Sequence, residues 1–357
     1  MVCVALACVL PSMLAGCAAQ KPPEPEKKLV WPEPPDTARI EFIRSITSDK
    51  DLVNDTTFSQ NVINFLAGSK PQPNSIVEPM GLAISDDGQV LYVSDTGVQL
   101  VFIFDFGQKK FSRIEGLSHP LGLALDAQQN LYVVDQSTKQ IKVYDRAGKE
   151  LRSFTDKSLV RPTGIAIDRQ RGNVYVVDTA TKASDEHNVK VFSLEGKLLG
   201  HVGVGQGNVP GAFEFATYIT LDSDGNVYVT DTLNCRIQVF DPNGKYARTV
   251  GGNGDTPGMF TRPKGIAVDS LGDLYVVDSG WSNVQIFNHQ GQILMFFGGR
   301  GPMPGLLKNP TSIAIDKDNR IYVGDYINHR IEVYQLVNTT VADTQGGGPM
   351  ATTAVSK

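Results

Sequence analysis

The sequence predicts an all-β fold: a six-bladed β-propeller of four-stranded antiparallel blades, its ring closed by an N-terminal strand. Three observations carry this. An apolar run ending in Asp occurs six times, as "LYVSD" to Asp95, "LYVVD" to Asp135, "VYVVD" to Asp178, "VYVTD" to Asp231, "LYVVD" to Asp278 and "IYVGD" to Asp325, at intervals of 40 to 53 residues. A period in that range marks a repeat architecture. Each copy is preceded by a motif such as "PLGLALD" or "PKGIAVD" and followed by one such as "RIQVFDPNG". One unit therefore reads as four short period-two strands joined by turns bearing Gly and Asp or Asn, which is a propeller blade. Finally, 35 Gly and 20 Pro among 357 residues favour many turns over long helices.

From the N-terminus, "MVCVALACVLPSMLAGCAAQ" carries an uncharged apolar run from Val2 to Ala15, too short to cross a bilayer as a helix and interrupted by Pro11. It ends in Leu14-Ala15-Gly16-Cys17, which resembles the lipobox of bacterial lipoproteins. The resemblance implies a signal peptide over residues 1–16 and lipidation of Cys17, so the expected membrane partner is reached through that residue. Several acyl chains on one Cys anchor far more firmly than one, since each buried methylene contributes about 0.8 kcal/mol. Ala18 stands where an inner-membrane retention signal would place Asp, so the expected address is the bacterial cell envelope, anchored in the outer membrane. Once Cys3, Cys8 and Cys17 are accounted for, Cys235 has no disulfide partner and reads as a small buried residue on a strand.

Residues 17–37 form a lipid-anchored linker with Pro at 22, 23, 25, 32, 34 and 35. Extended polyproline conformation at about 3.1 Å per residue would make it a stalk of roughly 50 to 60 Å. Trp31 within it is expected to pack on the domain or touch a partner. "ARIEFIRSI", Ala38 to Ile46, is an isolated strand. The sixth unit ends at "RIEVYQL" after only three strands, so the early strand is expected to complete that blade and remove an open edge. "TTFSQNVINFLAG" has Phe58, Val62, Phe65 and Leu66 at helical spacing, predicting a short amphipathic helix. The propeller thus spans 38–336, and 337–357 reads as a disordered tail.

Within a unit, Gly-Ile-Ala-Val puts small residues on one face and large ones on the other, as an innermost strand near a crowded axis requires. Pro-x-Gly-Ile-Ala-Val-Asp, then Gly-x-Leu-Tyr-Val-Val-Asp, then Asn-x-Arg-Ile-x-Val-Phe resembles the NHL-repeat family, whose members form six-bladed propellers. The opening "WPEPPDTARIEFIRSI" also resembles exported bacterial members. The resemblance implies the fold and leaves function open, because the family includes protein-binding modules, RNA-binding domains, receptor-kinase sensors and an amidating lyase.

Strand order puts the loops after "YVxD" and before each "PxG" on one face, which also carries the longest connections, and binding favours variable loops on a rigid scaffold. At its mouth His119, Arg161 and Arg262 precede first strands, Lys264 fills the variable position, and Tyr218 and Ser312 replace the Gly of the motif. His119, Arg161, Tyr218, Arg262 and Lys264 are the candidate ligand-binding set: Arg offers a bidentate fork to a carboxylate and Tyr a hydroxyl on an aromatic wall. The Arg residues could instead bond loop carbonyls.

No metal or cofactor is expected. The lyase of the resembled family implies a zinc site of several His at the mouth, and here only His119 and His187 are available, too few for three ligands. Calcium-dependent hydrolase propellers imply an axial set of Glu, Asn and Asp, and only Glu78 among the mouth residues is acidic. The six Asp read as structural pins. Unpaired in one narrow cavity, neighbours would repel by about 1 to 2 kcal/mol at an effective dielectric near 20, whereas each can hold its own turn through backbone N–H groups. A net charge of −5 offers no broad basic surface, so nucleic acid is not an expected partner. The resulting expectation is a non-catalytic envelope lipoprotein, more an interaction scaffold for a protein or peptide than an enzyme. The alternative is a metal-assisted lyase or hydrolase with its site at the channel mouth.

Overall fold

The computed structural model describes residues 28–52, 62–63, 74–181, 184 and 186–345. Six antiparallel sheets stand around one axis, five of four strands and one of five. The inner strands are Pro79–Ile84, Pro120–Leu125, Pro162–Asp168, Ala216–Leu221, Pro263–Val268 and Pro310–Ile315. Each lies beside the next, and Pro310–Ile315 returns to Pro79–Ile84 to complete the ring. We number the blades 1 to 6 in that order. The hydrophobic core lies between blades: Tyr92 and Ile103 of blade 1 meet Leu123, Leu131 and Val133 of blade 2 in one buried cluster.

Inner strands approach so closely that the motif Gly is required in four blades. A Cβ at Gly122 would come within 2.6 Å of the Thr163 carbonyl oxygen, and at Gly265 within 2.7 Å of Ser312 Cα. The six Asp are fully buried pins, and they hold more than their own turn. Asp278 accepts Gly280 N at 2.8 Å and also Thr261 N and Arg262 N at 2.8 and 3.1 Å. Each pin thus fastens the segment that leads into its blade's inner strand.

Blade 6 is completed by the N-terminal strand Ile40–Ile46, which pairs antiparallel with Arg330–Leu336, Ile40 opposite Leu336 and Ile46 opposite Ile331. Buried at this seam, Glu332 accepts Ser45 Oγ at 2.6 Å and Gly305 N at 3.2 Å and faces Arg330 Nε at 2.5 Å. Burial drives its carboxyl pKa up to about 7 despite the arginine.

Three expectations need adjustment. The C-terminal part of the Pro-rich linker is docked rather than free: Val30–Trp31 adds a fifth strand to blade 6, and the Trp31 ring packs on Phe297 and Tyr334 at centroid distances of 6.1 and 5.8 Å. An aromatic pocket at the closing seam outweighs the freedom of a stalk there. The supposed disordered tail is ordered as far as a short helix, Val341–Gln345, because Asp343 pairs with Arg39 at 3.1 Å and Asn338 Nδ2 donates to the Ala38 carbonyl. Cys235 is a half-buried turn residue at φ 53°, its Sγ 3.3 Å from the Thr261 carbonyl oxygen. The signal segment, Cys17, and the amphipathic helix save for helical Val62 and Ile63 lie outside the described residues. Among the described residues no helix is long and apolar enough to cross a membrane.

Candidate functional site

The fold brings His119, Arg161, Tyr218, Arg262 and Lys264 together around one cavity of about 390 Å³ at the mouth. The reason is register. His119, Arg161, Phe215 and Arg262 each precede an inner strand, while Leu121, Thr163, Thr217 and Lys264 each occupy the second position of one, so blades 2 to 5 contribute the same two columns to the wall. The pins fix this wall from behind: Asp135 accepts His119 N at 2.9 Å, Asp178 accepts Arg161 N at 2.7 Å and Asp278 accepts Arg262 N. Thr217 and Thr232 share a hydroxyl hydrogen bond at 2.7 Å, and Thr232 donates onward to the Pro263 carbonyl, tying blade 4 to blade 5.

Tyr218 forms the floor. From blade 4 its hydroxyl crosses the axis and donates to the Met80 carbonyl of blade 1 at 3.0 Å. It lines both the mouth cavity and a second space of about 250 Å³ that runs down the axis between the inner strands. Burial pushes its phenol pKa well up, so the ring stays neutral. At the far end Arg169 lines the axial space, its Nε donating to the Leu125 carbonyl and its Nη1 pairing with Asp86 at 2.6 Å.

The electrostatics of the mouth are lopsided. Arg161 sits over the Phe215 ring, 5.2 Å from its centroid, a cation–π contact. Among the described residues neither the Arg161 nor the Arg262 guanidinium bonds a loop carbonyl or pairs with a carboxylate, so the loop-brace alternative is not realised. The Lys264 amine is likewise without an acceptor. Burial, and then the Arg262 charge, lower its pKa. Three cationic side chains facing one cavity without a counter-ion make a receptor for an anion, and Met80, Leu121, Phe215 and Leu233 supply apolar wall.

Sequence reasoning did not select Met80, Leu121, Gln136, Thr163, Phe215, Thr217, Thr232 or Leu233. The signal was available, since all of them fall in the aligned columns that yielded Arg161 and Lys264 or lie within two residues after a pin Asp. Ser312, the other replacement of a motif Gly, lines the axial space instead and its hydroxyl has no partner.

Metal sets were tested against these residues. The mouth offers His119 among cations, and His187 is buried with Nε2 3.1 Å from the Thr181 carbonyl oxygen, so no zinc set forms there. Among the described residues no side chain lining the axial space is a carboxylate. On the opposite face Asp222, Asp224 and His289 each place a ligand atom within 4.8 Å of the others. Asp222 directly follows Leu221, which lines the axial space, and Asp222 Oδ2 already accepts Asn226 Nδ2 and the Tyr228 hydroxyl.

Comparison with known proteins adds three family models: a six-bladed β-propeller model over residues 213–279, an SMP-30/gluconolactonase/LRE-like region over 62–176, and an NHL repeat over 307–334. NHL repeat-containing protein 2 of Gallus gallus is 31% identical over 129 residues, 32% of this chain and 17% of that protein. The chain spans only 14 to 22% of the length of the curated relatives it matches. Among solved structures, a gluconolactonase from Xanthomonas campestris is similar with a TM-score of 0.57 at 17% identity, covering 84% of this chain and 89% of its own. A virginiamycin B lyase from Staphylococcus aureus is similar with a TM-score of 0.54 at 14% identity, covering 75% and 83%. At such identity these two speak for the fold.

The expectations of a non-catalytic scaffold, and of a protein more likely not an enzyme, are corrected by these findings. A gluconolactonase-region model matches blades 1 and 2 and part of blade 3, and three metal-donor side chains converge at Asp222, Asp224 and His289. The physical reason for the error is that the sequence reading counted His at one face and did not see donors from neighbouring blades meeting on the other. Repeat, ring and family models agree on the fold: the chain is a six-bladed β-propeller, with a six-bladed propeller model matching residues 213–279 and an NHL-repeat model matching 307–334.

Proposed function

We propose that this protein is an enzyme, of the lyase or hydrolase kind, that binds an anionic and partly apolar small molecule in the mouth cavity. The observation that carries the reading is the convergence of Arg161, Arg262 and Lys264 on one cavity without a carboxylate to neutralise them. An acid group of the substrate would take the place of that missing counter-ion, held by the guanidinium forks. Its apolar body would lie on Phe215, Leu121 and Leu233. His119, whose imidazole can both donate and accept a proton, is the wall residue suited to moving protons. The names of the matched region and of the two similar structures, a gluconolactonase and a lyase, support a catalytic reading over a purely adhesive one.

The test is turnover of a panel of carboxylate-bearing lactones, esters and oxo acids, with calorimetry for binding. Replacing both Arg161 and Arg262 by Met should weaken binding of any active compound by at least about a hundredfold, given roughly tenfold or more for each charge-assisted contact. Unchanged affinity in the double variant would sink the reading.

A second reading, a metal-assisted reaction, is favoured by the donor set of Asp222, Asp224 and His289. Those residues could hold a divalent cation with water completing its shell. Calorimetric titration with zinc, calcium and manganese salts should show one site, abolished by joint replacement of Asp224 by Asn and His289 by Ala; binding that survives both changes removes this set from consideration. The lipobox-like Leu14-Ala15-Gly16-Cys17 supports placing the enzyme on a membrane surface in the bacterial envelope. Incorporation of labelled palmitate, lost on Cys17→Ser, is the corresponding check.

A further inference from the structure

Lys264 differs from the other cations of the mouth. It extends from the inner strand of blade 5, where the Thr230 hydroxyl donates to its backbone carbonyl at 2.7 Å, so its Cα is fixed. Its amine enters a cavity already supplied with two guanidinium groups. An anion site does not need a third cation that is half-buried and unpaired, and a desolvated amine beside another positive charge is the arrangement that makes lysine a nucleophile.

We infer that Lys264 is a covalent catalyst, its amine condensing with the carbonyl of an oxo acid whose carboxylate lies against Arg161 and Arg262. The inference rests on the anionic-substrate reading above and names the substrate class and reaction step. The Lys264 Nζ lone pair attacks the carbonyl carbon, a C–N bond forms, and the C=O π pair moves to oxygen, which takes the proton that the nitrogen gives up. A second proton converts that hydroxyl into departing water, the C–O bond breaks, and a protonated imine remains. His119 is the wall group that can deliver and recover these protons. The positively charged imine draws in the electron pair of the C–C bond one carbon further along, the released fragment leaves as a carbonyl compound, the resulting enamine takes a proton on carbon, and hydrolysis of the imine so formed restores the amine. One water is released and one consumed, so no oxidant, reductant or metal is required. The lowered pKa of Lys264 agrees with this role, because each unit below the ordinary lysine value raises the free-base share about tenfold at neutral pH.

The experiment uses the full chain with phenylpyruvate and sodium cyanoborohydride, followed by peptide mapping. The expected result is a single reduced adduct on Lys264, forming at least about tenfold faster than on any exposed lysine and absent in Lys264→Arg, which keeps the charge but not a nucleophilic amine. Its rate should rise with pH through a midpoint below that of a free lysine side chain. In parallel, calorimetry measures 3-phenylpropanoate, which has the carboxylate and ring but no ketone, on wild type, Lys264→Arg and the double Arg161→Met, Arg262→Met variant. Binding of 3-phenylpropanoate without an adduct overturns the covalent role and leaves the anion-site reading standing. Absence of binding together with absence of an adduct overturns both. Adducts spread evenly over surface lysines also overturn the covalent role, and a folded Lys264→Arg, verified by its circular dichroism, excludes misfolding as the cause of a lost adduct.

Discussion

The Asp178 carboxylate accepts the backbone N–H of Arg161 at 2.7 Å, so a residue that never faces the mouth cavity fixes one that does. The neighbouring N–H of Val160 reaches the same carboxylate, also at 2.7 Å. With Ala180 N as a third donor at 3.1 Å, Asp178→Ala would strand three donors and should lower stability by about 1 to 3 kcal/mol. It should also weaken carboxylate binding without altering any side chain of the cavity. Calorimetric melting paired with ligand titration checks both; full affinity in a destabilised variant would separate the pin from the site.

Tyr218 acts through its ring as a floor and through its hydroxyl as a tie to Met80. Tyr218→Phe should cost about 1 kcal/mol for the lost hydrogen bond and leave ligand affinity nearly unchanged. Tyr218→Gly should join the mouth cavity to the axial space and reduce affinity. Equal loss in the two variants would mean that the hydroxyl itself touches the ligand.

Glu332 sets a pH response of the ring seam. Its folded-state pKa of about 7 lies above the ordinary 4.5, so folding favours the protonated form. The contribution is complete below about pH 4.5 and is lost as pH rises through 7, amounting to about 3 kcal/mol by linkage. Gln238 and Gln285 receive Gly211 N and Gly258 N in the preceding blades as Glu332 receives Gly305 N. Glu332→Gln should therefore raise the melting temperature at pH 8 and flatten its dependence between pH 5 and 8. A variant less stable than wild type at pH 8 would show that the Arg330 pairing outweighs burial.

Asp273 presents the same sign for a different reason. Burial, and then the facing Asp269, bring its carboxyl to about 7. In blades 2 and 4 the equivalent residue is Asn, and Asn130 and Asn226 donate to the facing Asp at 2.9 and 2.8 Å. Asp273→Asn should supply the missing donor, stabilising the fold above neutrality by about 1 to 3 kcal/mol with little change at pH 4.5. Urea titrations at the two pH values measure the difference, and equal gains at both would refute the carboxylate-pair account.

The ring and its closure were legible because they rest on local chemistry repeated six times: period-two strands, Gly where neighbouring inner strands nearly touch, and Asp before a tight turn. The pins were half legible. Sequence showed their bonds to the following turn, but not the reach back of 16 to 18 residues, which depends on antiparallel pairing. At the mouth, a departure from the motif Gly located Tyr218 and a charge at the variable position located Lys264, while Thr217 and Leu121 passed unnoticed because their residue types carry no charge or aromatic signal. The cluster of Asp222, Asp224 and His289 joins one blade's first turn to the next blade's last, and nothing in linear spacing announces such a meeting.

The pairing of Ile40–Ile46 with Arg330–Leu336 also has a consequence in time. The strand made almost first finds its partner only when the last blade has been synthesised. At about 5 to 20 residues per second the wait is roughly 15 to 60 s. For that interval Ile40, Phe42 and Ile46 belong to no blade, and contacts so distant in sequence form slowly even once the partner exists. A nascent chain of this protein is therefore an arc before it is a ring, with two unpaired edges until its final strand emerges.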